Sequence, residues 1–278
     1  MIYIQYGLPK LFITCLAGKF ANLKGGKLTS AVIKWFVKRY QVNMSEAANT
    51  DIDSYASFND FFTRPLKMGA RPLAKAAFIC PVDGAISQFG HIKQDQIFQA
   101  KNHDYTTLAL VGGNQSLAKK FDNGTFACLY LSPKDYHRIH MPMDGILISM
   151  AYVPGDLFSV NPITATHVPN LFARNERVVC EFESEVHGTF VMVLVGATIV
   201  GSMATVWHDG SNGIINPPRS KKIRTWSYAD QHISLKQGEE MGRFLLGSTV
   251  VMLFEKDALQ FNGEWKPAKT IKMGEMMG

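Results

Sequence analysis

Met241-Gly-Arg-Phe-Leu-Leu-Gly-Ser-Thr-Val-Val-Met-Leu-Phe254 is apolar almost throughout, interrupted by a small polar step at Gly247-Ser248-Thr249. An apolar run this short, β-branched after the step and flanked by charge, predicts a strand buried on both faces. Gly weakens a strand interior and marks a bulge or a close approach to the backbone, and a buried hydroxyl needs a partner. Two readings of the step follow. It is a β-bulge whose hydroxyls bond neighbouring carbonyls, or Ser248 is a nucleophile that needs a general base and an orienting carboxylate from elsewhere in the chain.

The 278 residues suffice for a full core, and 46% apolar with 19% charged residues is ordinary for a folded protein. The net charge of +6 is unevenly placed: Lys10, Lys19, Lys24, Lys27, Lys34, Lys38 and Arg39 precede the first acid, Glu46, so the rest of the chain is close to neutral. Cys15, Cys80, Cys128 and Cys180 lie far apart without a C-x-x-C pair, which argues against a zinc ribbon or disulfide framework and fits a reducing compartment. Asn114 and Asn123 sit in glycosylation patterns, but Asn123-Gly124 is more simply a hairpin turn.

Residues 1–17 are apolar but broken by Gly7, Pro9 and Lys10, too short and interrupted for a membrane span and without the basic start of a signal peptide. Lys27 to Tyr40 reads as a basic amphipathic helix, with Lys27, Lys34 and Lys38 on one stripe and Leu28, Val32, Trp35, Phe36 and Tyr40 largely on another. An ordinary surface helix has this pattern too. The apolar segment before it and seven undiluted cations favour a membrane surface, and bulky aliphatics between the cations disfavour nucleic acid. Residues 41–55 look linker-like. Ser57 then caps a short helix with Asp60 at the third position and Pro65 as its stop.

Short strands follow. Asp83-Gly84 stands between apolar flanks, either as a tight turn or as a carboxylate projecting into a cavity, and both readings stay open. Phe126–Leu131 reads as a strand. Ser132-Pro133 with Asp135 predicts a helix that Pro142 stops, placing His137 and His140 on one face as candidate acid or base. No H-E-x-x-H and no Cys or carboxylate at ligand spacing accompany them, so a zinc half-site is disfavoured. Ile146–Val153 is a further strand leading to Ser159 and Asn161, polar groups in an apolar turn. Leu171–Arg177 is a charged turn, Val178–Phe182 a strand, Phe190–Ser202 two buried strands or one strongly bent, and 209–224 an exposed basic loop.

Arg243-Phe-Leu-Leu-Gly-Ser-Thr249 resembles the Leu-Gly-Ser-Thr processing site of bacterial membrane-associated phosphatidylserine decarboxylase proenzymes. Pro81–Ser87, Tyr136–Pro142, Tyr152–Asn161, Asn170–Arg177, Val195–Ser202 and the Phe58–Leu66…Arg71-Pro72 segment carry the same resemblance, which thus runs in order along nearly the whole chain. The end departs from the resemblance: only 24 residues follow Phe254, which is short, and the extreme C-terminus offers no usable pattern.

The resemblance implies autocatalytic cleavage between Gly247 and Ser248 into a 1–247 β chain and a 248–278 α chain. Asp83 would hold the tautomer of His140, which takes the Ser248 proton; attack on Gly247 gives an ester, and elimination and hydrolysis leave a pyruvoyl group at 248. That group captures the substrate amine as a Schiff base and acts as electron sink, with no metal. His137 is implied in the decarboxylation of phosphatidylserine to phosphatidylethanolamine, and Ser159 and Asn161 in the headgroup pocket. The expected partners are an anionic membrane, the two cleaved chains as a heterodimer and a homodimer of these. No nucleic acid is expected, and the location is the cytoplasmic face of the cell membrane, peripherally bound. The fold implied is α+β, a mainly antiparallel β core with N-terminal amphipathic helices: residues 1–56 form the membrane-associating region and 57–278 the catalytic domain. A lipid-acting serine hydrolase using Ser248, His140 and Asp83 without self-cleavage is the alternative, although G-x-S-x-G is absent. A non-catalytic membrane-binding module is a third.

Overall fold

The computed structural model describes residues 4–100, 103–198, 203–208, 221–245 and 249–278, together with the backbone of 214–215. The N-terminal part is helical: α1 (Ile4–Gly7), α2 (Lys10–Ala21), α3 (Lys27–Tyr40) and the short α4 (Phe58–Phe62). Pro9 separates the first two. Gln41 ends α3 in the left-handed region at φ 56°, its N–H bonding the Val37 carbonyl. Ser57 caps α4 as expected, its side chain accepting from the Asp60 N–H at 3.1 Å.

The rest is an antiparallel β core with four one-turn helices. In chain order it contains β1 (Gly84–His91), β2 (Gln96–Ala100), β3 (His103–Thr106), α5 (Thr107–Leu110), α6 (Gln115–Lys119), β4 (Thr125–Tyr130), β5 (Arg138–His140) and β6 (Gly145–Val153). There follow α7 (Pro162–Ala165), α8 (Leu171–Arg174), β7 (Arg177–Ser184), β8 (Gly188–Val195), β9 (Met203–Thr205), β10 (Ile214–Ile215), β11 (Arg224–Ser227), β12 (Ser234–Leu235), β13 (Glu240–Phe244), β14 (Thr249–Phe254) and β15 (Thr270–Ile271). Among the described residues, nine strands form one sheet in the order β11-β6-β7-β8-β14-β4-β1-β15, with β12 also on β6; a second sheet runs β10-β9-β13-β5, and β2 pairs with β3.

Strand β14 lies at the centre of the large sheet and is buried on both faces. Val250, Met252 and Phe254 enter one core, packed with Ile139, Met203, Met241 and Phe244 of the second sheet. Val251 and Leu253 enter the other, beneath the helices that carry Leu110, Leu117 and Phe172. Each such side chain contributes about 1.5–3 kcal/mol on burial. A third, smaller core joins Ile33 of α3 to Phe58, Phe61 and Phe62 of α4.

The structure corrects several expectations. The stretch 241–254 is two strands in two different sheets: β13 ends at Phe244 in the second sheet and β14 begins at Thr249 in the large one. Gly247 and Ser248 themselves, like most of the 209–224 loop, lie outside the described residues. Residues 132–142 form a turn followed by strand β5, not a helix. The Asp135 carboxylate accepts both the N–H and the hydroxyl of Ser132, but a helix this short is marginal alone, and Arg138–His140 find partners along β13 instead. Of the run 190–202, the part to Val195 is the end of β8 in the large sheet and 199–202 lie outside the described residues, so whether the run holds a second strand is untested; β9 of the second sheet begins just beyond it at Met203. Leu171–Arg174 is a one-turn helix rather than a turn. Asp83-Gly84 is no turn either, since Gly84 begins β1. Asn123 does take a turn conformation, at φ 59°, but between α6 and β4 rather than within a hairpin.

Candidate active site

The register of the large sheet gathers the sequence motifs at one end. Val153, Arg177, Val195, Thr249, Tyr130, Ala85 and Thr270 face one another in turn across seven strands. Asp83, the loop from Leu131, the loop from Pro154 and the segment before Thr249 all adjoin that row in sequence. Gly84 is required there: a Cβ would stand 2.3 Å from the Tyr130 carbonyl oxygen.

The strand ends on either side of two connections between the sheets pair with one another. Tyr130 pairs with Thr249, and Arg138 with Arg243, while the Phe244 N–H donates to the His137 carbonyl at 3.0 Å. The described residues that flank 246–248 are thus paired with those that flank the loop carrying Asp135, Tyr136 and His137.

His140 is buried in β5. Its Nδ1 lies 2.8 Å from the Gly238 carbonyl oxygen and its Nε2 lies 3.1 Å from the Tyr136 hydroxyl. A carbonyl only accepts, so Nδ1 carries the hydrogen and Nε2 accepts from the phenol. Burial lowers the pKa of His140 against the pull of the Gly238 carbonyl and the nearby Glu240 and Asp83 charges, which keeps the ring neutral. Gly238 has φ 81°, and a Cβ there would lie 2.5 Å from Leu73 Cδ1.

The Nδ1 partner expected from Asp83 is thus a main-chain carbonyl. Asp83 is engaged elsewhere: its carboxylate accepts from Arg71 Nε at 2.9 Å and from the Met273 N–H at 2.9 Å. Arg71 also reaches Glu46 at 2.6 Å, and Lys272 holds Glu46 from the far side at 3.2 Å. Two carboxylates thus compete for one buried guanidinium, and Asp83 acts on His140 through its charge rather than through a bond.

His137 is fully buried, and burial pushes its pKa down to about 3. Its Nδ1 donates to the Asp135 carbonyl at 2.8 Å, its ring packs 4.0 Å from that of Phe62, and Nε2 has no partner among the described residues. The expected shared helical face with His140 is absent, because positions three apart in extended chain point to opposite sides. Ser159 and Asn161 bond each other at 3.0 Å. The Ser159 N–H donates to Gln5 of α1 at 3.0 Å, and Asn161 caps α7 through the Thr164 N–H at 2.8 Å. The N-terminal helices are thereby tied to the loop after β6.

Gly238, Tyr136 and Arg71 escaped the sequence reading as site residues. Gly238 acts through a carbonyl that any residue has; Tyr136 and Arg71 stood inside quoted motifs without a role. Among the described residues no cluster of three or more His, Cys, Asp or Glu is arranged to hold a metal. His137 Nε2 and the fully buried Thr249 Oγ1 are buried polar atoms without a hydrogen-bond partner among the described residues. The serine hydrolase alternative does not fit: the chain after Ser248 is a central strand, whereas a nucleophile elbow turns from strand into helix.

A buried carboxylate before β1, two buried imidazoles and a buried phenol at and before β5 are the groups with acid–base capacity that the structure describes here. Comparison with known proteins narrows the class. The phosphatidylserine decarboxylase family model matches residues 58–278 and a further model, described as PSD, matches residues 1–41. The chain is 68% identical over 274 residues to the phosphatidylserine decarboxylase proenzyme of Dechloromonas aromatica (strain RCB), covering 99% of this chain and 95% of that one. It is 66% identical over 277 residues to the protein of the same name from Methylobacillus flagellatus, covering 99% and 97%. The chain belongs to the phosphatidylserine decarboxylase family.

Proposed function

We propose that this protein is the precursor of a phosphatidylserine decarboxylase, which cuts itself between Gly247 and Ser248 and then converts phosphatidylserine to phosphatidylethanolamine. The observation that supports the reading is that Arg243 and Thr249, on either side of the proposed cut, pair with Arg138 and Tyr130, on either side of the histidine-bearing loop, in a chain that matches the family over nearly its full length.

In the self-cleavage the Ser248 hydroxyl attacks the Gly247 carbonyl and its proton passes to His140. The ester that results eliminates to free the Gly247 carboxylate, and hydrolysis of the residue left at 248 releases ammonia and leaves a pyruvoyl group. Gly247 lacks a Cβ and tolerates the distorted backbone this attack needs. His140 is suited to the task because burial keeps it neutral, while the Asp83 charge favours the imidazolium once formed. The pyruvoyl carbonyl supplies an electron sink for decarboxylation of an amine-bearing acid. His137, whose Nε2 has no partner among the described residues and whose pKa burial depresses, is suited to orient the substrate carboxylate or pass a proton. Ser159 and Asn161 serve the headgroup loop.

The apolar residues Leu11, Phe12 and Leu16 of α2 and Leu28 and Trp35 of α3 are exposed at 53–67%, beside seven cations in the first 39 residues. That pattern supports residues 1–56 as a membrane-surface region and 57–278 as the catalytic domain, attached peripherally at an anionic cytoplasmic leaflet. Among the described residues no helix is long and apolar enough to cross a membrane. The 1–247 and 248–278 chains would remain together as a heterodimer, and a homodimer of these is the proposed assembly.

Intact mass of freshly purified protein tests the core of this reading. Two chains, the smaller with a blocked N-terminus, are expected, and Ser248→Ala should give one inactive chain. An unbroken wild-type chain that still decarboxylates lipid would overturn it.

A further inference from the structure

Glu46 belongs to the 1–56 region, yet its carboxylate is built into a charge cluster of the β core. Its backbone is held on both sides: the Lys67 N–H donates to the Glu46 carbonyl and the Ala48 N–H to the Pro65 carbonyl, each at 2.9 Å.

Every nitrogen of the Arg71 guanidinium is committed. Nη1 donates to the Ala70 carbonyl at 2.7 Å and Nε to Asp83 at 2.9 Å. Nη2 is contested, between Glu46 Oε2 at 2.6 Å and Asp83 Oδ2. Lys272 donates to the other Glu46 oxygen at 3.2 Å, and the next residue, Met273, gives its N–H to Asp83 at 2.9 Å. Cations and carboxylates thus alternate in the order Lys272, Glu46, Arg71, Asp83. The segment that carries the last of them runs against β5, where the His140 N–H donates to the Pro81 carbonyl at 2.9 Å.

The surroundings of His140 leave Asp83 as the adjustable charge. Burial opposes the imidazolium; the Gly238 carbonyl, Glu240 and Asp83 favour it, and Arg138 opposes it. The Tyr136 hydroxyl at Nε2 is a neutral partner. Glu240 is already paired with both Arg138 and Arg243, each at 2.8 Å. Asp83 shares its one guanidinium with a rival carboxylate.

We propose that Glu46 is a positioning residue of the acid–base site, which holds one edge of Arg71 and so leaves Asp83 a residual negative charge that bears on His140. This rests on the reading of Asp83 as the charge that favours the His140 imidazolium. Without Glu46, Arg71 turns wholly to Asp83 and cancels it. Without Lys272, Glu46 draws harder on Arg71 and Asp83 is released. The N-terminal region thereby sets the proton affinity of a buried base as well as meeting the membrane.

The test is a titration of His140 by imidazole NMR in full-length Ser248→Ala, which reads the ring whether or not the wild-type chain cuts itself. Glu46→Gln should lower the His140 pKa and Lys272→Gln should raise it, each by a few tenths of a pH unit, the scale of a partly exposed ion pair. The double variant should fall between them. The two side chains are 27% and 52% exposed, so both variants should fold. Anything other than opposite shifts would overturn the proposal. Adding Asp83→Asn, in which Arg71 keeps Glu46 as a partner, separates positioning from bare charge. Glu46→Gln should then have no further effect, and an undiminished shift would overturn the positioning role. In protein that keeps Ser248, the acid limb of the cleavage rate should move with the titration, down in Glu46→Gln and up in Lys272→Gln. A wild-type chain that stays whole while the opposite shifts hold would sink the self-cleavage reading and leave the Glu46 assignment standing.

Discussion

Arg71 and Asp83 form a buried ion pair in which the guanidinium lies along the carboxylate, Nε 2.9 Å and 3.2 Å from its two oxygens. Arg71 is 6% exposed at its side chain and Asp83 9%. The pair ties the N-terminal segment to the start of β1, next to the row of strand ends where the site is built.

Removing one member of such a pair strands the other. Arg71→Met should destabilise the fold by about 3–5 kcal/mol, because Asp83 then keeps only the Met273 N–H as a close partner among the described residues. Arg71→Met combined with Asp83→Asn should recover part of that loss. Urea unfolding of the two single variants and the double variant measures the coupling, and strict additivity would refute it.

Gly84 has no room for a side chain. The obstacle to a Cβ is the Tyr130 carbonyl oxygen at 2.3 Å, part of a backbone that cannot swing aside. Gly84→Ala should cost about 1–3 kcal/mol and displace Asp83. A lower urea midpoint together with slowed chain cleavage is expected, and neither should occur for Gly263→Ala, where nothing lies within 4 Å of the new atom.

His137 and His140 make the fold sensitive to acid. Both have pKa values below the ordinary 6.5, His137 at about 3. The unfolded chain therefore binds protons below pH 6.5 that the native state refuses, so stability is full above that pH and falls as pH drops toward the native values. The slope is up to about 1.4 kcal/mol per pH unit for each histidine. Urea midpoints measured between pH 7 and pH 4 in Ser248→Ala should decline, and His137→Gln, if it folds, should decline less steeply.

Membrane attachment should follow charge and apolar contact separately. Lys27→Gln with Lys38→Gln should weaken binding to anionic vesicles by about 30-fold, at about 1 kcal/mol per cation, with little change on zwitterionic vesicles. Trp35→Ser, which alters a residue 61% exposed, should weaken both. Vesicle co-sedimentation at two salt concentrations distinguishes the effects.

What the chain announces in advance is what local pattern decides. Val250 to Phe254 reads as doubly buried because apolar residues continue through both parities, and it is the central strand. Ser57 with Asp60 carries its capping chemistry in three residues, and the cap is there. Tyr136 to His140 was misread because its local signals, a cap and a stop, were outweighed by pairing with a strand about a hundred residues away. The partner of His140 Nδ1 was illegible for another reason: Gly238 contributes only a carbonyl. Likewise nothing in Arg71-Pro72 hints that Arg71 would reach the carboxylate at 83.

A cut at the proposed Gly247-Ser248 bond would put strand β14 in the short C-terminal piece, yet β14 fills the middle of the large sheet between β4 and β8. The remainder of that piece is stitched to Phe78 and Cys80 through Met277 and Glu275. The sheet can therefore be assembled only while the polypeptide is continuous, since a severed fragment would have to thread between two strands that had already closed on each other. Maturation makes the molecule a record of its own history: once denatured, the cut enzyme should not regain its native state, whereas uncut Ser248→Ala should refold.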